Sequence, residues 1–478
     1  MTQLTDGQVD AIARRLAQRL GGSATATESA PAPTVRSGAG VHPTVDAAVH
    51  AAAKAFVELG QASLETRDRM IGAIRDVMRV EGDRLARFAH DETGLGRYED
   101  KVVKNQLVTD KTPGVEDLRP ETWSGDRGLT LVELAPYGVI GAITPTTNPT
   151  STIICNTIGM VAAGNTVVFN VHPSAVECSM ETVRLINQAI MSVGGPENVV
   201  TAIGAPTIAT AQDLMTHKGI RLLAVTGGAG VVKAAMTSGK RAICAGPGNP
   251  PVVVDETADI AQAGRDIVRG ASFDNNIICV DEKEVFVVES VADELLKSMR
   301  NAGAYLASGS DIHKLETTIF SDPPEPRRPG HMNKDCIGKN AAEIMRLAGI
   351  PVDGDPKLIV CDVPESHPLV WSEQMMPVMP VVRVSDVDRA IDLAKEAEHG
   401  FGHSASMHSR NINALSRMAR EMNTSIFVKN GPIVSGLGAG GEGFTSFTIA
   451  SPTGEGLTSP ISFSRQRRCV MVDHFRIV

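Results

Sequence analysis

The chain has 478 residues, 42% hydrophobic and 21% charged, enough for about two to four domains with a substantial core and too apolar for a disordered chain. A net charge of −9 and an aromatic share of only 4% speak against a basic nucleic-acid face, a base-stacking platform or an anionic-lipid surface. Seven cysteines at 155, 178, 244, 279, 336, 361 and 469, with no CxxC pair, speak against a disulfide framework or a zinc knuckle, so a reducing compartment and no metal site are expected.

In chain order, residues 1–20 carry an apolar stripe at Val9, Ile12, Ala13, Leu16, Ala17 and Leu20, the spacing of an amphipathic helix. Thr5 and Gln8 stand at capping-box spacing, and Gly21-Gly22 marks a stop. Residues 21–42 are Gly, Ser, Ala, Thr and Pro with almost no large apolar residue, a flexible linker. Helical periodicity then runs through Val45–Leu59 and Ser63–Val80. Strand-like runs follow at Gly138–Ile143, Thr166–Asn170, Val199–Ile203, Leu222–Val225 and Pro251–Val254, with helices expected at Ser174–Ser192 and Gly230–Ser238. Further apolar strands are expected at Val285–Val288, Leu358–Cys361 and Val378–Val384. Strand and helix in repeated alternation indicate an α/β fold with parallel sheets. The stretch between Glu133 and Glu177 lacks any Asp, Glu, Lys or Arg, but Pro136, Pro145 and Pro149 break it; it is expected to form buried strands and turns, not a membrane span of about 18 apolar residues.

Leu222–Gly230 (LLAVTGGAG) reads as strand, Gly-rich turn and helix, placing backbone N–H groups and a helix N-terminus where a dinucleotide phosphate can sit. A tight strand-to-helix connection is the plainer reading. The second glycine cluster, Gly436–Gly443, lacks a preceding strand and is expected to be a close-packed loop. Cys155 and Cys178 lie in apolar surroundings and are expected in the core. Cys279 differs: the polar run Ser272-Phe273-Asp274-Asn275-Asn276 leads into it, a loop junction where backbone N–H donors would lower a thiol's pKa.

These motifs fall in the order found in a known family. Pro136-x-Gly138-Val139, Thr144-Pro145-Thr146-Thr147-Asn148-Pro149, Gly164-Asn165-Thr166-Val167-Val168, Thr226-Gly227-Gly228, Gly248-Asn249-Pro250, the Cys279 segment and Glu373-Gln374-Met375-Met376-Pro377-Val378 resemble the successive motifs of the aldehyde dehydrogenase superfamily from about residue 43 to the C-terminus. Lys111-Thr112-Pro113-Gly114, Val171-His172-Pro173-Ser174 and Gly440–Gly456 are similar to its CoA-acylating branch, which handles acetaldehyde or propionaldehyde in bacterial microcompartments. The N-terminal helix and linker resemble the encapsulation peptides of that branch.

The resemblance implies a Rossmann-like NAD-binding domain over 43–245, interrupted by oligomerisation strands near 125–135, and an α/β catalytic domain over 246–435. Residues 436–478 are then a return segment with the last oligomerisation strand, giving a homodimer or homotetramer. Cys279 is implied as the nucleophile and Asn148 as an oxyanion donor, while Thr144, Pro145, His172, Thr226, Gly227, Gly228 and Glu373 line the cofactor site. His399 and His403 either assist deprotonation of coenzyme A, since an imidazole titrates near neutrality, or are structural. Hydrolytic members carry a water-activating glutamate where this chain has Cys244–Pro250 (CAGPGNP), without a carboxylate. A thioacyl-enzyme not offered activated water survives to be taken by a thiol.

The implied function is reversible, CoA-dependent oxidation of a short-chain aldehyde with NAD, inside a microcompartment of the bacterial cytoplasm. Val9, Ile12, Leu16 and Leu20 are the expected contacts with shell or cargo proteins. A hydrolytic aldehyde dehydrogenase, an acyl-phosphate reductase and a catalytically silent dinucleotide-binding cargo are the rival readings. Asn170 stands where the family places a cofactor-binding lysine, which bears on the choice between NAD and NADP.

Overall fold

The computed structural model describes residues 38–322 and 324–478. The expected helix over 1–20, with Val9, Ile12, Leu16 and Leu20, and all but the end of the linker lie outside the described residues.

Short β-branched runs build a first, all-parallel sheet from β1 (Val41–His42), β4 (Val139–Ile143), β5 (Thr166–Asn170), β6 (Val200–Ile203), β7 (Ile220–Thr226) and β8 (Ala242–Ala245). The spatial order is β1-β6-β5-β4-β7-β8. β4, β5 and β6 are buried at every residue, as expected where helices cover both faces of a parallel sheet. Val41 and His42, placed by sequence in the linker, instead pair with Ala202 and Ile203; they supply hydrogen-bond partners to β6, which would otherwise be an open edge. From β4 the chain moves outward through β5 and β6, then returns to β4's other side with β7. That reversal opens a crevice beyond the carboxyl ends of β4 and β7, the usual ligand position in such sheets.

A second parallel sheet is built from β9 (Pro251–Val254), β10 (Glu284–Val288), β11 (Ala304–Leu306), β12 (Leu358–Asp362), β13 (Val378–Val384), β14 (Ser404–His408) and β15 (Ile426–Lys429). Its spatial order is β11-β12-β13-β10-β9-β14-β15. After a short antiparallel pair, β16 (Ile449–Ala450) and β17 (Gly456–Leu457), a third, antiparallel sheet joins β2 (Glu121–Gly125) and β3 (Gly128–Pro136) to β18 (Ser464–Val472), with β3 in the middle.

The helices show their local causes. Thr44 caps Val45–Leu59 by accepting from Ala47 N–H, and Ser63 caps Leu64–Thr93 by accepting from Thr66 N–H. The latter runs well past the expected Val80 and stops at Gly94, whose φ of 65° suits glycine. The uncharged stretch 134–176 is not strands and turns alone. It contains a helix, Pro149–Ala162, buried at all of its 14 residues. Because neighbours cover it on every side, it carries no polar stripe and no helical period for a sequence reading to detect.

Candidate active site

A cavity of about 510 Å³ opens at the crevice of the first sheet. Its walls come from the segments that follow β4 (Thr144–Asn148), β5 (Val171–Pro173), β7 (Gly227, Gly228) and β8 (Gly246, Pro247). From the second sheet come Cys279, which precedes β10, and Glu373, which precedes β13. Carboxyl ends of one sheet therefore face amino ends of the other. Thr144, Pro145, Asn148, His172, Thr226, Gly227, Gly228, Glu373 and Cys279 all line this one cavity.

Cys279 is held by a backbone few residues adopt. Asp274, Asn275 and Asn276 are consecutive left-handed residues, with φ of 44°, 54° and 64°, a conformation Asp and Asn tolerate when their side chains bond locally. Only Asn276 bonds locally; Asp274 and Asn275 are held by distant backbone groups. Asp274 Oδ1 accepts from Arg97 N–H at 2.6 Å, Asn275 Nδ2 donates to Gly338 O at 2.9 Å, and Asn276 Nδ2 donates to Ala271 O and Glu282 O, both at 2.9 Å. Lys283 Nζ closes the loop from behind, donating to Asn276 O at 2.7 Å and Asn276 Oδ1 at 2.6 Å.

The thiol does not match the expected electrostatics. Burial pushes the Cys279 pKa up to about 12, and the Glu373 carboxylate adds to the rise; Lys283 and the residue's own backbone N–H pull it down without prevailing. With the cavity as it stands, the thiol is protonated at neutral pH. Of the other six cysteines, five are buried and Cys469 is exposed, so Cys279 is the half-buried thiol that faces a cavity.

His399 and His403 do not line the cavity. His399 Nε2 contacts Trp371 O at 2.9 Å. His403 is buried, its Nε2 has no partner, and burial followed by the nearby Lys283 lowers its pKa to about 4. The expectation of an imidazole titrating near neutrality is therefore corrected for His403: it is neutral there and too weak a base to take up the proton of coenzyme A over that range.

Several features suit a dinucleotide. Thr144 Oγ1 and Thr146 Oγ1 are buried against the cavity without hydrogen-bond partners. Gly228 precedes helix Ala229–Met236 with no side-chain cap, and a Cβ there would meet nothing within 4 Å, leaving the helix N-terminus open to an anion. Asn170 also lines the cavity, and its Oδ1 accepts from Thr210 Oγ1 at 2.6 Å. The Gly436–Gly443 cluster is a loop pinned by Lys111 Nζ, which donates to Gly438 O at 2.6 Å and Gly441 O at 3.1 Å.

Sequence reasoning did not single out Lys101, Lys104 and Lys283, and met Asp274 only as part of a polar run; all four are buried charges around the nucleophile loop. Lys101 and Lys104 both pair with Asp274. Their three-residue spacing on helix Tyr98–Lys111 was the one local signal, and it reads equally well as a solvated face.

The model of the aldehyde dehydrogenase family matches residues 33–447. An acetaldehyde dehydrogenase (acetylating) of Salmonella typhimurium is 49% identical over 94% of this chain and 96% of its own length. The crystal structure of a Rhodopseudomonas palustris propionaldehyde dehydrogenase with bound CoA and an acylated cysteine is 50% identical, covering 91% of this chain and 99% of that one, with a TM-score of 0.88. A propionaldehyde dehydrogenase from the fucose utilisation microcompartment of Clostridium phytofermentans is 46% identical over 92% of this chain and all (100%) of that one, with a TM-score of 0.90.

Proposed function

Since the chain belongs to the aldehyde dehydrogenase family, we propose that it is a CoA-acylating member that converts a short-chain aldehyde, acetaldehyde or propionaldehyde, to its acyl-CoA with reduction of NAD. The observation that carries this is the meeting of Cys279 and Asn148 in one cavity to which residues 244–250 bring Gly246 and Pro247 but no carboxylate.

Cys279 Sγ, once deprotonated, attacks the aldehyde carbon and forms a thiohemiacetal. The Asn148 amide N–H and the Cys279 backbone N–H are the donors to the oxygen that gains charge. Thr144, Pro145, His172, Thr226, Gly227, Gly228 and Glu373 would hold NAD, with Thr226, Gly227 and Gly228 towards its pyrophosphate and nicotinamide end and Glu373 towards the nicotinamide ribose. When bound, NAD supplies a hydride acceptor. Cys279 then carries the acyl group as a thioester. The thiol of coenzyme A attacks that carbonyl, acyl-CoA leaves, and Cys279 regains its proton. Exchange of one thioester for another is nearly isoenergetic, so the acyl-transfer half of the reaction runs in both directions, as a reversible enzyme requires.

Glu373, a carboxylate in the same cavity, is the observation that favours the hydrolytic rival. The test follows reduced nicotinamide absorbance on mixing protein, NAD and propionaldehyde with and without coenzyme A. Sustained turnover only with CoA, lost in Cys279→Ala, is expected. Sustained turnover without CoA would establish hydrolysis and overturn the acylating assignment.

The amphipathic pattern over residues 1–20 and the relative from a microcompartment support residence inside such a compartment of the bacterial cytoplasm, with Val9, Ile12, Leu16 and Leu20 binding shell or cargo proteins. Deleting residues 1–22 should leave activity intact and abolish co-purification with compartments; retained encapsulation would refute the assignment. Among the described residues no helix is long and apolar enough to cross a membrane. The exposed edge strand β18 supports a homodimer or homotetramer.

A further inference from the structure

Asn148 stands at the N-cap of helix Pro149–Ala162, where an asparagine side chain ordinarily accepts from the second or third N–H of the helix. It makes no such bond. Its Oδ1 accepts instead from Lys104 Nζ at 2.7 Å. An ammonium only donates, so this contact decides which end of the amide is oxygen. One Nδ2 hydrogen goes to Thr147 Oγ1 at 3.2 Å, and the second remains for the cavity that Asn148 shares with Cys279.

The other two hydrogens of the Lys104 ammonium are also committed. One goes to Thr147 O at 3.3 Å, the other to the Asp274 carboxylate. Lys104 and Asp274 are both buried. Lys104 therefore joins the turn that carries Asn148 to the left-handed run that leads to Cys279. Lys283, by contrast, is the cation acting most on the Cys279 thiol itself.

We propose that Lys104 is the positioning residue of the oxyanion site. It turns the Asn148 amide so that N–H faces the developing charge, polarises that N–H, and through Asp274 fixes its distance from the nucleophile. The proposal rests on the reading of Asn148 as oxyanion donor. A buried cation bonded to the amide oxygen strengthens the opposite N–H as a donor, and a donor fixed in advance needs no reorganisation as charge develops.

Lys104→Met removes all three bonds while Asp274 keeps Lys101, 3.2 Å away, and the Arg97 N–H. Lys104→Gln retains one neutral donor towards Asn148. Two rates separate positioning from general damage: single-turnover formation of reduced nicotinamide, which passes through an oxyanion, and alkylation of Cys279 by iodoacetamide, which does not. Thioacylation is expected to slow ~10²-fold in Lys104→Met and ~10-fold in Lys104→Gln, against the range seen when an oxyanion donor is removed. Alkylation and NAD affinity should stay within about 3-fold, and adding Lys104→Met to Asn148→Ala should cost nothing further, because residues acting as one unit are not additive. Alkylation falling in step with thioacylation, or effects that multiply in the double variant, would overturn the proposal. A fully active Asn148→Ala would instead remove the oxyanion reading beneath it. Should Lys104→Met fail to fold, Lys104→Gln alone and combined with Asn148→Ala gives the same comparison.

Discussion

A Cβ on Gly248 would stand 2.7 Å from the carbonyl oxygen of Cys279 and 3.1 Å from Cγ of the His403 ring. The strand-end segment that lacks a carboxylate thus does more than leave water unactivated: its glycine lets the nucleophile loop approach this closely. Gly248→Ala must push the Cys279 backbone away, since the first clash is with backbone rather than a flexible side chain. A displacement of a few tenths of an ångström at the reacting atom is expected to lower kcat ~10- to 10²-fold, with an overpacking cost of about 1–3 kcal/mol in stability. Steady-state kinetics alongside thermal unfolding check this. Wild-type kcat in a folded Gly248→Ala would show that the close approach is incidental.

Glu373 raises the Cys279 pKa, so its removal should act on the thiol and on the cofactor in opposite directions. In Glu373→Gln, alkylation of Cys279 in the alkaline range should speed up several-fold, because a neutral amide no longer disfavours the thiolate. The KM for NAD should rise by about 10-fold, as expected for loss of one charged hydrogen-bond partner. In the wild type the alkylation rate should climb through pH 7 to 10 without levelling, since burial and Glu373 place the thiol near 12. Slower alkylation in Glu373→Gln would mean that the carboxylate serves as the base for the thiol.

Glu282, just beyond the nucleophile, makes a prediction about stability. Burial raises its pKa from 4.5 to about 8; Oε1 accepts from Ile433 N–H at 2.8 Å and Oε2 has no partner. The folded protein holds a proton that the unfolded chain releases near 4.5, so this contribution is complete below that pH and is lost as pH rises through about 8. Asp281 and Glu284 shift in the same direction. His403 and His408, both lowered to about 4, act oppositely, removing stability as pH falls from 6.5 through that value. Between pH 6.5, above which the histidines no longer act, and about 8, the Tm should therefore decline, and less steeply in Glu282→Gln, whose carbonyl still accepts from Ile433. Parallel declines in the two proteins would contradict this origin.

What could be read in advance follows from how local each cause is. Thr166–Asn170, Pro251–Val254 and Val378–Val384 are found at their expected bounds, because short β-branched runs ended by Gly, Pro or Asn advertise themselves. The helix Pro149–Ala162 did not, being buried all round. Cys279 stood out through the Asp-Asn-Asn run before it, and the φ values there show why those residue types are needed. Lys104 gave no such sign. Its partners Asn148 and Asp274 lie 44 and 170 residues away in the chain, and a lysine on a helix is ordinarily solvated. The His403 environment was likewise hidden, since burial is a property of the packed sheet.

The third sheet supplies the last prediction. Of the nine residues of β18 all but Ser464 are exposed, and four of the five residues of β2 are exposed. Val470, Met471, Val472 and Trp123 add apolar surface to it. A three-stranded sheet with two of its strands this exposed has little core of its own, and β18, with β3 on one side only, presents an edge that natural proteins usually cover or blunt. The simplest cover is a second copy of the chain, which pairs edge with edge or buries the face that carries Val470 and Val472, two residues apart and so on one side of the strand. Val470→Lys with Val472→Lys places two like charges on that face without touching the cavity. Light scattering after gel filtration should show the wild type as a dimer or tetramer and the double variant at a lower mass, with thioacylation of Cys279 retained. An unchanged mass would exclude this face from the interface.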